Sequence, residues 1–182
     1  MQIIGVNRPW TIPQRHLTFR ALRQDLDRVS VVIFGQDPYP REASATGLAF
    51  CDGEVVSWQD TLSPSLRNII KAACIWKQVA EPKTPVGSLR KTLAHLQVKE
   101  QNQWFQDLLD QGVMWLNTAL TFSGKEKPAL DRHTRFWAPV IEAIVQVILV
   151  HHNQKGQGVV FALWGGNAQK LESMVKEPPK VC

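Results

Sequence analysis

The residues best placed to do chemistry fall in one turn. Val31-Val32-Ile33-Phe34 is a short β-branched and aromatic run, wide enough for one buried strand, and it stops at Gly35. Gln36, Asp37, Pro38, Tyr39 and Pro40 follow, so the chain must turn sharply just where the strand surfaces. In an α/β protein that is the carboxyl end of a strand, where ligands bind. A carboxylate at such a mouth can orient or deprotonate a water, or oppose positive charge developing on a bound ligand. The backbone N–H groups of Gln36 and Asp37, presented by a tight turn, suit a ligand carbonyl. A plain Asp-Pro corner has the same spacing, so this stretch alone does not decide between them. Val113 to Asn117 reads as another buried strand ending in a polar residue, and the Asn117 amide carries a donor and an acceptor side by side.

Around these residues the chain alternates strands with helices. The first strand is read at Val29 to Phe34, after a charged segment, Arg15 to Arg28, that suits a short helix or turn. Arg41 to Thr46 is loop, and Gly47 to Cys51 a short apolar patch. A Ser or Thr cap in Thr61-Leu62-Ser63-Pro64-Ser65 starts a helix with Leu66, Ile69, Ile70, Ala73 and Cys74 on one face. Residues 81–100 are polar, with two prolines, and read as an insertion carrying a short helix near Leu89–Leu96. Gln103 to Leu109 fits a helix stopped by Gly112; Thr121 to His133 reads as a long loop. Phe136 to Val150 is a helix burying Ile141, Ile144, Val145, Ile148 and Leu149, and Pro139 requires it to begin just before the proline. Gly158 to Trp164 is a third strand, and Gly165-Gly166-Asn167 leads into a helix through Val175. Lys180-Val181-Cys182 looks like the start of a fourth. The expectation is an α/β/α sandwich with a central, mostly parallel four-stranded sheet, one domain spanning 1–182.

Composition narrows the class. With 182 residues, 44% hydrophobic and 20% charged, the chain is globular rather than disordered. No uninterrupted apolar run reaches the roughly 18 residues of a membrane span, and no secretory pattern opens the chain, so the expected location is intracellular: cytoplasmic, or nuclear in a eukaryote. Cys51, Cys74 and Cys182 are odd in number and scattered, neither a disulfide framework nor a ligand set. A net charge of +5 suits a polyanionic partner. His151-His152 does not read as a metal site: adjacent side chains point apart, and a cation there suits the end of a helix.

Gly35-Gln36-Asp37-Pro38-Tyr39, followed by Phe50 in Gly47-Leu48-Ala49-Phe50, resembles the family 1 uracil-DNA glycosylases. Three further stretches are similar to that family's motifs and in its order: Pro64-Ser65-Leu66-Arg67-Asn68-Ile69, Gly112 to Thr118, and Val159 to Lys170. The resemblance implies hydrolysis of the N-glycosidic bond of uracil in single- or double-stranded DNA. The base is flipped out of the stack into a pocket, as enzymes acting on bases require. It implies a base-excision repair enzyme, monomeric, with no cofactor and no metal, open to proteinaceous glycosylase inhibitors and with no membrane partner. Asp37 would be the catalytic residue, beneath the sugar. Gln36, Asp37, Tyr39, Phe50 and Asn117 would hold uracil: Phe50 by stacking, Tyr39 by filling the space of thymine's methyl, Asn117 by matching uracil's O4 and N3–H. Ser63, Pro64, Ser65, Gly165 and Gly166 would contact the DNA backbone, with Lys71 and Lys170 as further phosphate candidates.

The chain departs from the pattern. Pro40 stands where the family has histidine, Gly165-Gly166 replaces a glycine–serine pair, and the family's His-Pro-Ser-Pro-Leu motif does not occur before Cys182. The expectation is weak activity for this stretch by itself, with a catalytically impaired homologue that keeps the fold and binds DNA as the alternative. A flavodoxin-like nucleotide-binding domain is a third reading, but the glycine loop it requires after strand one is missing.

Overall fold

The computed structural model describes residues 10–176. Its centre is a sheet of three parallel strands, β1 (Val31–Gly35), β2 (Val113–Asn117) and β3 (Val160–Ala162), in the order β2-β1-β3. β1 pairs with β2 from Val31↔Val113 to Gly35↔Asn117, and with β3 from Val31↔Val160 to Ile33↔Ala162. The continuous apolar run of β1 reflects this central place, since both faces are covered: Val32, Ile33 and Phe34 are all buried. The described residues thus give three strands where four were expected; the fourth, at Lys180–Cys182, lies outside them.

Two 3-10 turns, Arg15–Leu17 and Arg20–Arg23, precede β1. The β1–β2 crossover carries α1 (Pro64–Trp76), α2 (Val86–His95) and α3 (Gln101–Asp110). The β2–β3 crossover is α4 (Lys127–Gln154), and α5 (Gly166–Gln169) and α6 (Glu172–Lys176) follow β3. The chain leaves β1 toward one neighbour and returns past it to the other. That reversal opens a crevice at the carboxyl end of β1, the topological switch point of a doubly wound sheet.

Local chemistry explains the boundaries. Ser63 is the cap of α1, its Oγ accepting from Leu66 N at 3.2 Å, with Pro64 in the first turn. Leu66, Ile70 and Cys74 face the core, but Ala73, expected beside them, is exposed. Gly112 takes φ +92° between α3 and β2, and a Cβ there would lie 2.0 Å from the Arg28 carbonyl. Its own carbonyl accepts from Ser30 N and Val31 N, locking the start of β2 beside β1. Residues 81–100 contain α2, which buries Leu89 and Leu93, while Arg90 Nε donates to the Trp58 carbonyl at 3.0 Å.

The largest correction concerns 121–139. There is no long loop up to His133; α4 begins at Lys127 and passes through Pro139. Its buried stripe runs Ala129, His133, Trp137, Ile141, Val145, Ile148, His152. The histidine hides the first half of this periodic pattern in the sequence. Its polar atoms are satisfied inside: Nδ1 meets Thr121 Oγ1 at 2.8 Å, Nε2 meets Ser123 Oγ at 2.7 Å, and Trp137 Nε1 donates to Thr121 Oγ1 at 2.7 Å. Pro139 and Arg135 are exposed, so the carbonyl that loses its helical donor faces water. By length and hydropathy alone α4 could cross a membrane; here Trp137, Ile141, Val145 and Ile148 belong to the core cluster around the sheet. The helix expected from Gly165 through Val175 is instead two short ones, α5 and α6, broken at Lys170–Leu171.

Candidate active site

The turn after β1 lines a cleft of about 320 Å3, within the size range of small-ligand sites. It is lined by Gln36, Asp37, Tyr39 and Pro40 of the turn, by Phe50 and Asn117, and by Ser63 to Ser65 at the start of α1. Of the twelve residues singled out from sequence as site or phosphate candidates, eight therefore meet here: Gln36, Asp37, Tyr39, Phe50, Ser63, Pro64, Ser65 and Asn117. Gly165 and Gly166 line an adjoining lobe of about 170 Å3 that shares Gly35, Gln36, Phe50 and Ser65. Lys170 and Lys71 lie outside both; Lys71 Nζ donates to the Pro82 carbonyl at 3.1 Å.

The Asp37 carboxylate is half-buried, and burial pushes its pKa above the ordinary carboxylate value of 3.8. Among the described residues no group hydrogen-bonds or ion-pairs with it. It is thus a desolvated acid with free lone pairs, aimed into a cleft. Perturbed acids of this kind mark sites where a base is needed.

Asn117 is buried at the end of β2, opposite Gly35. A Cβ on Gly35 would sit 2.3 Å from Asn117 Oδ1 and 2.8 Å from the Ala49 Cβ. The glycine that ends β1 is therefore what lets the Asn117 amide lie across the strand end. Ladder bonds continue past the strands: Thr118 N donates to Gly35 O and Ala119 N to Gln36 O, both at 2.9 Å. Thr118 Oγ1 donates to the same Gln36 carbonyl at 2.9 Å, fixing the turn.

Phe50 adopts φ +64°, a left-handed conformation that costs a non-glycine residue about 1–3 kcal/mol. Two contacts hold it there: Tyr39 Oη donates to its carbonyl at 3.2 Å, and its ring meets the Trp115 ring edge-on, with centroids 6.2 Å apart. Tyr39 Oη also bonds Ser63 Oγ at 2.8 Å. One tyrosine hydroxyl thus ties the β1 turn, the Phe50 loop and the start of α1 together.

Comparison with known proteins agrees with this geometry. The family model described as the uracil DNA glycosylase superfamily matches residues 24–177. The chain belongs to that superfamily. It is similar to the uracil-DNA glycosylase of Streptococcus agalactiae serotype III (strain NEM316), 36% identical over 169 residues, covering 91% of this chain and 63% of that protein. It is also similar to that of Chlamydia muridarum (strain MoPn / Nigg), 34% identical over 159 residues, with 87% and 57% covered. Among solved structures, the wild-type UNG from Nitratifractor salsuginis superposes with a TM-score of 0.74 at 27% identity, over 95% of this chain and 71% of that one. The mimivirus uracil-DNA glycosylase shares the fold with a TM-score of 0.66 at 22% identity, over 92% and 52%. The chain thus spans less than two thirds of the length of the curated relatives.

Within this superfamily member, several site residues carry no signal in the sequence by themselves. Thr118 is legible only as the residue after Asn117. Asn167 Nδ2 donates to Gln36 Oε1, and Lys170 Nζ to Asn167 Oδ1 at 3.2 Å, so the loop after β3 steadies the Gln36 side chain. Trp164, half-exposed, stands 6.4 Å from the Phe50 ring. Thr118 depends on β2 lying beside β1, and Asn167, Lys170 and Trp164 on β3 lying beside it, which local spacing does not encode.

Proposed function

We propose that this chain carries the uracil-excising site of a DNA repair glycosylase, which hydrolyses the N-glycosidic bond of deoxyuridine in single- or double-stranded DNA. The observation that carries the reading is an unpartnered, half-buried Asp37 sharing one cleft with Phe50, Tyr39 and Asn117. As the bond breaks, positive charge develops on the sugar and negative charge on the departing base. Asp37 opposes the first and orients or deprotonates the attacking water. Phe50 stacks on the base, and the Asn117 amide offers its donor to O4 and its acceptor to N3–H, a pattern cytosine mismatches. Tyr39, fixed through its hydroxyl, occupies the space a 5-methyl group would need. The backbone N–H groups of Gln36 and Asp37 face a carbonyl of the base. Ser63, Pro64 and Ser65 border the cleft, and Gly165 and Gly166 its adjoining lobe, where the DNA backbone would approach, Ser65 in the first turn of α1.

The chain is read as one domain, monomeric, acting on DNA inside the cell. A mimivirus UNG variant has been crystallised in complex with UGI; a proteinaceous inhibitor that covers the cleft is a partner to test here by co-elution.

Uracil release from single-stranded and duplex oligonucleotides tests the assignment. Excision that falls ~10²–10⁴-fold in Asp37→Asn is the expected result. Excision indifferent to that substitution, or oligonucleotide binding with no excision at all, would overturn the enzymatic reading.

A further inference from the structure

Three arginines converge on a separate cavity at the other end of the sheet. In the 3-10 turn Arg20–Arg23 the first and last side chains eclipse, so both arginines project on one side. The turn at 25–28 then brings Arg28 to the C-terminal end of α3. The resulting cavity, about 450 Å3, closes against Gln106, Leu109 and Asp110. It adjoins the amino ends of β1 and β2, whereas the Asp37 cleft adjoins their carboxyl ends. Five residues of strand separate the two by roughly 15 Å or more.

Each guanidinium uses one nitrogen on a main-chain carbonyl. Arg20 Nη1 donates to Thr46 O at 3.1 Å, Arg28 Nη2 to Asp110 O at 2.6 Å, and Arg23 Nη2 to His16 O. These bonds fix the side chains but leave most of the five donors of each unused. Among the described residues none of the three forms an ion pair. Two acids share the wall, each with one oxygen bonded locally: Asp25 Oδ1 accepts from Asp27 N at 3.0 Å and Asp110 Oδ1 from Gln106 Nε2 at 3.1 Å, so three guanidinium charges face two carboxylates. Arg28 alone would pass as a cation at the end of α3. That leaves Arg20 and Arg23, on a different element, lining the same concavity without an ion pair to the Asp25 and Asp110 carboxylates that share its wall. Like charges so gathered repel, and an anion bound among them relieves the repulsion.

We propose that this cavity binds a phosphate ester, with the phosphate held by the forks of Arg20, Arg23 and Arg28 and the polar remainder of the ligand facing Asp25 and Gln106. Guanidinium forks match phosphate oxygens two at a time, which makes arginine rather than lysine the fitting residue. The phosphate comes either from a free nucleotide or from a nucleic acid strand passing the far end of the sheet. The site does not depend on the reading of the Asp37 cleft.

Titration calorimetry with AMP and with a uracil-free single-stranded oligonucleotide tests this on the wild type, on Arg23→Gln/Arg28→Gln and on Arg23→Lys/Arg28→Lys, each checked by thermal melting. If a nucleotide is the ligand, one equivalent of AMP binds, the glutamine pair weakens it roughly 10-fold or more, and the lysine pair falls between. If a strand is the ligand, the glutamine pair weakens oligonucleotide binding and lowers its salt slope by about 1.4. The proposal fails if AMP does not bind at millimolar concentration and oligonucleotide affinity and slope match the wild type. It fails equally if AMP binds wild type and a folded glutamine pair alike, or if free uracil displaces it.

Discussion

Asp37 is held where its charge is costly. Burial raises its pKa in the folded state, so above the unfolded value of 3.8 the native protein loses stability relative to the unfolded chain, and below it nothing is lost. Asp37→Asn should therefore raise the melting temperature at neutral pH, leave it unchanged near pH 3, and abolish most excision. A drop in neutral-pH stability would show that the carboxylate has a stabilising partner. The same raised pKa should shift the acid limb of the pH–rate profile upward from the ordinary aspartate value. Gly35 offers a second test. Gly35→Ala drives a methyl into Asn117 Oδ1 and the Ala49 Cβ; uracil excision should fall, and discrimination against cytosine should weaken with it. Tyr39→Phe keeps the ring but removes the bonds to Phe50 O and Ser63 Oγ, at about 0.5–1.5 kcal/mol each in denaturant melts. Tyr39→Ala also opens the space beside the base and should admit thymine.

At the scale of elements, α4 carries the most informative irregularity. Pro139 sits inside 28 helical residues, where proline costs about 3 kcal/mol relative to alanine. Pro139→Ala restores a backbone donor at an exposed position and should stabilise the protein by roughly 1–3 kcal/mol, the upper figure reduced by the greater freedom of the unfolded alanine chain. Chemical denaturation measures it; no gain would mean that the helix bends around the proline. The N-terminal half of α4 was illegible in the sequence because its buried stripe includes His133, a polar residue whose partners Thr121 and Ser123 come from the preceding segment. Periodicity detects apolar faces and passes over a satisfied polar one. β3 illustrates the opposite error: seven residues read as strand, but of these Val160–Ala162 pair with β1, from Val31 to Ile33.

Across the whole molecule, two buried histidines set the response to mild acid. Burial lowers the pKa of both His133 and His152 below the usual 6.5. A group depressed in the folded state contributes stability above its unfolded pKa and loses it as pH falls. Melting temperature should therefore start to decline below about pH 6.5. His152, whose ring nitrogens have no partner within the described residues, is depressed chiefly by burial, with His151 and Lys155 lowering it further and Asp27 opposing; His152→Leu should flatten the decline, and an unchanged profile would remove it as a cause. A second decline follows in the carboxylate range, as Glu54, held low by Ser44 and Arg41, takes up a proton and releases the loop after the β1 turn.

The sequence by itself determined the strand–turn unit Val31–Tyr39, the second strand at Val113–Asn117, a Ser or Thr cap within Thr61–Ser65 and, through the family resemblance, eight residues that line the cleft. Each of these is local: a β-branched run ended by glycine, a helix start after a serine, an amide at a strand end. Only the tertiary structure decided what those residues do to one another. It set Gly35 against Asn117, joined Tyr39 to Phe50 and Ser63, and forced Phe50 into a left-handed turn. It also left Asp37 without a partner among the described residues, and it gathered Arg20, Arg23 and Arg28 at the far end of the sheet. Those outcomes depend on which strand lies beside which and how deep a group sits. Burial and strand order arise from packing distant segments together, and so no stretch of residues carries them alone.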